Sequence, residues 1–267
     1  MSDTPNAQSP EAPLLIERDG AVVVLRFNRP KSLNAVDVPM AQAFLQAARA
    51  LARDKSVRAV VLCGAGKGFM AGGDLATLSA NPRQAAVDLI GPLHEALTVL
   101  AGIDAPLVAQ VHGVAAGAGL SLMLQADFAI AAEGTRFNMA YVNIGASCDV
   151  GASWALPRLI GLRRALEVAM LGETLDSTQA LELGLLNRVV PAAELQAQAM
   201  AFAQRLSKGP TVALGRVRRL MRSSFDRDLP AQLDAEASAF VQCAQTEDFR
   251  IGVDAFFAKQ PARFVGR

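Results

Sequence analysis

The spacing of hydrophobic positions changes several times along the first third of the chain, and each change predicts an element. Residues Ala21–Asn28 are mostly β-branched or apolar and end at Pro30, which predicts a strand that leaves into a loop. Apolar residues then recur at helical spacing over Val38–Arg53, which predicts an amphipathic helix. A second strand is predicted at Ala59–Cys63, directly before a glycine-rich segment.

Strands and helices continue to alternate through the middle of the chain, and the end is helical. The next predicted elements are a helix at Ala85–Leu100, a strand at Leu107–His112, a helix at Leu120–Gln125 and a strand at Phe128–Ala131. After Pro191 the predicted helices are Glu194–Ser207, Thr211–Ser223, Leu229–Gln245 and Phe249–Ala258. Such alternation indicates an α/β fold with parallel strands and right-handed crossovers. We therefore expect a disordered leader at 1–13, an α/β core at 14–190 and a helical region at 191–267.

One uncharged segment is long enough to cross a bilayer. Residues 105–126 contain no Asp, Glu, Lys or Arg over 22 positions. The segment also contains Pro106, Gln110, His112 and Gln125, and its character changes halfway from strand-like to small-residue-rich. A buried strand, a turn and a helix therefore explain it better than a membrane span.

Composition narrows the class of protein and its partners. Hydrophobic residues make up 52% of the chain and charged residues 19%, which indicates a globular protein. The 26 Lys and Arg nearly equal the 25 Asp and Glu, so neither a nucleic acid nor a membrane is an expected partner. Three dispersed cysteines indicate reduced thiols and a cytoplasmic location. With two histidines in total, a multi-histidine metal site is excluded, and we expect no metal.

The first glycine-rich segment does not fit a nucleotide-binding motif. GAGKG at 64–68 has Phe69 where a dinucleotide fingerprint needs its third glycine. It has Gly68 where a phosphate-binding P-loop needs Ser or Thr after the lysine. Both interpretations therefore fail on the sequence.

Two small-residue loops follow neighbouring predicted strands and suggest a different kind of site. They are FMAGGD at 69–74 and AAGAG at 115–119, and the second opens directly into a helix. Small residues allow close approach of the main chain to a ligand, and free N–H groups at a helix start favour negative charge. Two such N–H groups would form an oxyanion hole. The alternative is that these glycines serve only turns and packing.

Five segments, in order, resemble the enoyl-CoA hydratase/isomerase (crotonase) family. They are NRPKSLNAV (28–36), GAGKGFMAGGDL (64–75), VHGVAAGAGLSLMLQADFAIA (111–131), LPRLIGLRRALEVAMLGETLDSTQALELGLLNRVV (156–190) and DFRIGVDAFFAKQPARFVGR (248–267). The resemblance covers the chain from about residue 14 to its end. It implies the ClpP/crotonase spiral of ββα units with a C-terminal helical trimerisation region. It also implies an acyl-CoA thioester substrate, as in fatty acid metabolism, no separate cofactor, and a homotrimer or hexamer.

The resemblance also implies roles for individual residues. The N–H groups of Ala71 and Ala118 would form the oxyanion hole for an enolate-like thioester anion. The loop around Lys31 and Leu33 would cradle coenzyme A together with the segment Ala71, Gly72, Gly73, Asp74 and Leu75. The family shares this anion, and the surrounding side chains decide which reaction follows.

The residues around the implied thioester favour isomerisation. The two glutamates of family hydratases fall at Ser121 and Tyr141, neither of which is a carboxylate, so simple hydration is doubtful. Asp149 falls where 1,2-epoxyphenylacetyl-CoA isomerases and some dienoyl-CoA isomerases have a catalytic aspartate. Its neighbours are mostly small and apolar, which favours a general base. The structural alternative is that Asp149 caps a helix starting near Gly151.

Other functions remain open from the sequence. His94 falls at the position of an aryl-CoA dehalogenase histidine that handles water, and Tyr141 replaces a tryptophan that hydrogen-bonds the aspartate of those enzymes. An enoyl-CoA hydratase (lyase) reaction or an aryl-CoA dehalogenase-like reaction is therefore the second hypothesis, and a non-catalytic acyl-CoA-binding subunit is the third. The leading prediction is an acyl-CoA isomerase with Asp149 as base and Ser121, Tyr141 and His94 nearby.

Overall fold

The computed structural model describes residues 11–267, so most of the predicted 1–13 leader lies outside the described residues. The main feature is a six-stranded sheet in the order β1-β2-β3-β4-β6-β8. Its strands are β1 (Leu14–Asp19), β2 (Val22–Phe27), β3 (Ala59–Gly64), β4 (Leu107–Val111), β6 (Phe128–Ala132) and β8 (Arg188–Val190). Only the β1–β2 pair is antiparallel, and the other pairs are parallel. The predicted α/β class with parallel pairing is confirmed.

Helices and their connections cover both faces of this sheet. The helices are α1 (Val38–Arg53), α2 (Leu75–Ala80), α3 (Pro82–Gly102), α4 (Ala118–Gln125), α5 (Ala152–Ile160), α6 (Leu162–Leu171), α7 (Ser177–Glu182), α8 (Leu195–Ser207), α9 (Thr211–Ser223), α10 (Leu229–Ala244) and α11 (Glu247–Ala258). Alternate residues of β2 enter different cores: Val23 and Leu25 join the larger one, while Val22 and Val24 pack against α8. Because both faces are covered, every residue of β3 is buried.

The uncharged segment 105–126 folds as predicted into a strand, a turn and a helix. It contains β4, the short strand β5 (Val114–Ala116) and α4. By length and apolar composition alone, α3 is the described helix that could cross a membrane. One of its faces, through Leu89, Leu93 and Ala96, belongs to the larger core together with residues of α1.

A second, two-stranded sheet positions the glycine-rich loops. Strand β5 pairs in parallel with β7 (Arg136–Asn138), and Met70 forms an isolated bridge with Ala115 on β5. The first glycine loop therefore lies directly beside the segment that leads into α4.

Candidate active site

The two glycine loops are in direct contact, as their small residues suggested. Met70 N–H donates to Val114 O at 3.1 Å, and Ala116 N–H donates to Met70 O at 2.9 Å. A Cβ added at Gly119 would overlap the carbonyl oxygen of Met70 and lie 2.8 Å from the Met70 Cβ. Only glycine fits at 119 while the loops remain this close.

We expect Gly119→Ala to lower the free energy of unfolding by about 1–3 kcal/mol, because the added methyl forces the two loops apart. The matched control is Gly91→Ala on α3, where an added Cβ meets nothing within 4 Å. That change should alter the free energy of unfolding by less than about 1 kcal/mol, since the higher helix propensity of alanine is opposed by the contact of its Cβ with the ring of Pro92. Denaturant unfolding of both variants measures the difference. Equal effects at the two glycines would contradict the close approach.

The main chain changes direction at Gly72, and this change decides which amides face the second loop. Ala71 N–H donates to Leu33 O at 3.0 Å. At Gly72 φ is +102°, a left-handed conformation that interrupts the alternation of an extended chain. Beyond it, Gly72 O accepts from Val36 N–H and Asp74 N–H donates to Val36 O, at 2.8 and 2.9 Å. The N–H of Gly73, between these two bonds, therefore faces away from Val36.

The prediction that Ala71 supplies an oxyanion donor needs correction, because its N–H is already bonded to Leu33. Within residues 11–267, Gly73 N–H has no hydrogen-bond acceptor. Ala118 N–H also has none among those residues, since Ala118 is the first residue of α4 and its N-cap, Gly117, makes no side-chain hydrogen bond. A Cβ added at Gly72 would lie 3.8 Å from Ala118 N, which places the second amide against the first loop. Sequence reasoning grouped Gly73 with the coenzyme A residues and missed its free amide.

The segment around Lys31 lies alongside the segment 71–75, as the implied coenzyme A cradle requires. The Ala71–Leu33 bond and the two Val36 bonds join these segments. Lys31 is exposed, and so are the side chains of Leu33 (39%) and Leu75 (56%). Asp74 instead caps α2 and pairs with Arg29 at 2.9 Å. The hydrogen bond from Arg29 is the main cause that lowers the pKa of Asp74.

Three predicted site residues form one hydrogen-bonded chain. Ser121 is fully buried on the first turn of α4. Its hydroxyl donates a hydrogen bond to the hydroxyl oxygen of Tyr141, 2.9 Å away. The Tyr141 hydroxyl donates to Oδ1 of Asp149. Burial, followed by the negative charge of Asp149, raises the pKa of Tyr141 well above its usual value, so the phenol stays protonated as donor. Because Ser121 follows Ala118 by about one helical turn, the chain begins close to one of the two free amides.

The helix-cap alternative for Asp149 is wrong. Helix α5 begins at Ala152, its N-cap is Gly151, and no side chain caps it. The Asp149 carboxylate is instead held by Tyr141, and its Oδ2 has no hydrogen-bond partner among the described residues. One oxygen of a half-buried carboxylate is therefore fixed, and the other is available.

His94 contacts the main chain next to Asp149. Its Nε2 accepts a hydrogen bond from Val150 N–H at 3.2 Å. The ring is exposed and lines a cleft of about 630 Å³ with Gln125, Gly151 and Trp154. No residue of the two glycine loops lines that cleft. The structure therefore places His94 beside the turn that carries Asp149, in a cleft that the two glycine loops do not line.

Comparisons with known proteins agree with this geometry. The family model described as "Enoyl-CoA hydratase/isomerase" matches residues 17–267. The chain is 35% identical to the Escherichia coli 1,2-epoxyphenylacetyl-CoA isomerase over 261 residues, covering 95% of this chain and 98% of the relative. It is 30% identical to the E. coli 2,3-dehydroadipyl-CoA hydratase, covering 95% and 99%. A crystal structure of a Mycobacterium smegmatis enoyl-CoA hydratase superposes with a TM-score of 0.89 at 32% identity, covering 95% and 99%.

Proposed function

Because the chain belongs to the enoyl-CoA hydratase/isomerase family, we propose that it is an acyl-CoA isomerase in which Asp149 is the general base. Family membership supports acyl-CoA hydratase or isomerase activity in general. The choice of isomerisation rests on the side chains around the two free amides. A relative named as an isomerase, at 35% identity over almost the whole chain, agrees with that choice.

The observation that carries the proposal is the Ser121–Tyr141–Asp149 hydrogen-bond chain. It contains one carboxylate and two hydroxyl groups, whereas positioning and activating a water as family hydratases do requires a pair of carboxylates. Tyr141 cannot act as a second base, because its pKa is raised and its proton is donated to Asp149. A single base suffices for moving a proton from one carbon to another.

The proposed reaction conserves every atom of the substrate. The thioester carbonyl oxygen accepts hydrogen bonds from Gly73 N–H and Ala118 N–H, which together supply the oxyanion hole. The free oxygen of Asp149 removes a proton from the carbon next to that carbonyl, and the electron pair of the broken C–H bond is delocalised onto the carbonyl oxygen as an enolate. The protonated Asp149 then returns the proton to another carbon as the carbonyl re-forms. The double bond has moved, and the carboxylate is restored.

Coenzyme A would lie along the segments 31–36 and 71–75. The exposed side chains of Leu33 and Leu75 offer apolar contacts, and exposed Lys31, which has no ion-pair partner among residues 11–267, offers a cation for a phosphate. Coenzyme A enters and leaves as part of the thioester substrate. No separate cofactor takes part in this proposal.

The test is a substrate panel run in labelled water. Purified protein is assayed with Δ3-enoyl-, dienoyl- and 1,2-epoxyphenylacetyl-CoA in water enriched in ¹⁸O, and products are analysed by mass spectrometry. Isomers of unchanged mass are the expected result. A product that has gained ¹⁸O would instead support a hydratase-like addition of water. Tight binding of acyl-CoA with no turnover across the panel would support a binding subunit.

We also propose that the active protein is a homotrimer or a pair of trimers. Large apolar side chains are exposed on the C-terminal helices, including Phe240 (65%), Phe256 (78%) and Phe257 (78%). Exposed apolar surface of this kind on a soluble protein marks an interaction site. Light scattering should give three or six times the chain mass.

The proposed assembly should dissociate in the double variant Phe256→Ser/Phe257→Ser. These changes remove most of the apolar area that the end of α11 can bury against another subunit. The expected result is a shift in light-scattering mass towards the 28.1 kDa of one chain. The control Asp254→Ser/Lys259→Ser changes polar residues at the same end of the chain and should retain the assembly. Unchanged mass in the phenylalanine variant would contradict this interface.

A further inference from the structure

The turn that carries Asp149 has an unusual main-chain conformation. Val150 has φ +51° and Gly151 has φ +73°, two consecutive residues in the left-handed region. A β-branched residue rarely adopts this conformation, and such outliers persist only where the surroundings hold them. Val150 is buried, so its N–H needs a hydrogen-bond acceptor within the protein. The turn therefore depends on particular partners.

Two side chains from different helices hold the turn. His94 on α3 accepts the Val150 N–H at its Nε2, 3.2 Å away. Gln125 at the end of α4 donates from Nε2 to Gly151 O at 3.1 Å. A Cβ added at Gly151 would lie 2.8 Å from this amide nitrogen, so the two are closely packed. His94 therefore holds the N–H group at the start of this turn, and Gln125 holds the carbonyl group at its end.

We propose that His94 is a positioning residue: it holds Val150 N–H so that Asp149 keeps one oxygen on Tyr141 and aims the other at the substrate. This inference rests on the proposed function of Asp149 and concerns the same site. Its basis is the contact itself, because the ring bonds the main chain and makes no hydrogen bond to the carboxylate within the described residues. When Nε2 accepts, the neutral ring carries its proton on Nδ1. His94 thus acts through the turn, and the substrate does not need to reach it.

Two substitutions separate positioning from chemistry. His94→Gln keeps an acceptor, since the glutamine Oε1 can take the place of Nε2, but it removes the imidazole. His94→Leu removes the acceptor and keeps comparable bulk. We expect kcat for isomerisation to fall about 10- to 100-fold in His94→Leu, because small displacements of a reacting group are costly, with KM little changed. In His94→Gln the loss should stay within about threefold.

Amide hydrogen exchange at Val150, measured at residue resolution by mass spectrometry on the full chain, reads the contact without any turnover. The exchange rate should rise at least tenfold in His94→Leu and stay near the wild-type value in His94→Gln. Thr98→Val is the matched control, because its hydroxyl bonds only within α3, to His94 O, and lines the same cleft. It should alter neither kcat nor the exchange rate by more than about twofold.

Three other outcomes would contradict the anchoring role, the positioning role or the proposed function. If Val150 exchange is unchanged in His94→Leu, the anchoring role is overturned. If His94→Gln protects Val150 but loses as much kcat as His94→Leu, the imidazole acts in the chemistry and the positioning role is overturned. If the wild-type protein isomerises none of the panel, the proposed function fails, and the exchange rates alone still decide whether His94 holds the turn.

Discussion

Replacing Asp149 by Asn is expected to lower kcat for isomerisation by a factor of roughly 10² to 10⁴, the range that general base catalysis contributes. The amide keeps the size of the side chain and can still accept from the Tyr141 hydroxyl, so the site should stay folded. What is lost is the basic oxygen that removes the substrate proton. Steady-state kinetics on the best substrate of the panel measures the effect, and KM should change little.

Two controls support the interpretation of that loss. Asp226→Asn removes a carboxylate from an exposed pair with Arg158 and should leave kcat within about twofold. Tyr141→Phe keeps the Asp149 carboxylate but removes its hydrogen-bond donor, so a smaller loss of about tenfold is expected. Wild-type turnover by Asp149→Asn would remove the aspartate from the mechanism, whatever the other variants do.

Replacing Ala118 by Pro is expected to lower kcat/KM by a factor of about 10² to 10³, the cost of losing one oxyanion donor. Proline has no N–H, and it is well tolerated at the first position of a helix, which Ala118 occupies. The helix should therefore persist while the donor disappears. Kinetics, together with circular dichroism to confirm helix content, measures both parts.

The matched control is Ala118→Gly, which also changes the side chain at position 118 but keeps the main-chain N–H. It should lose less than about fivefold in kcat/KM and at most about 1 kcal/mol of stability. If proline and glycine gave equal, small losses, the amide of residue 118 would have no part in stabilising the anion. The proline ring would also fill the space into which the N–H of Ala118 points. We therefore expect KM to rise as kcat falls.

Elements with a clear apolar pattern were predicted from the sequence, whereas β1, α2, α6, α7 and the shortest strands were not. Helix Val38–Arg53 was predicted with its observed bounds from its apolar stripe, and the structure adds that Asp37 caps its first turn. Strand β3 was predicted to within one residue, since its run of buried β-branched residues is bounded by glycine. The three-residue strands β5, β7 and β8 were missed, because so few residues show no period and pair only in the folded chain.

The side chains of the candidate site were predictable from the sequence, whereas the position of its free amide depended on a local turn. The neighbourhood of Ser121, Tyr141 and Asp149 followed from the family resemblance, and the structure brings these residues together. The free amide of the first loop belongs to Gly73, two residues after the predicted Ala71. The Ala71 prediction came from the family resemblance, and the left-handed conformation of Gly72 leaves the amide of Gly73 free instead. Glycine in a sequence permits such a turn but does not state where it occurs.

The way Tyr141 holds Asp149 has a stereochemical consequence. One carboxylate oxygen is occupied by a phenol that keeps its proton, so in the proposed reaction a single oxygen atom would both remove and return the migrating hydrogen. An oxygen atom held in this way would meet the acyl chain from one side. Isomerisation should therefore be suprafacial, and a deuterium placed on the donor carbon should reach the acceptor carbon on the same face in a fraction of turnovers set by exchange with solvent.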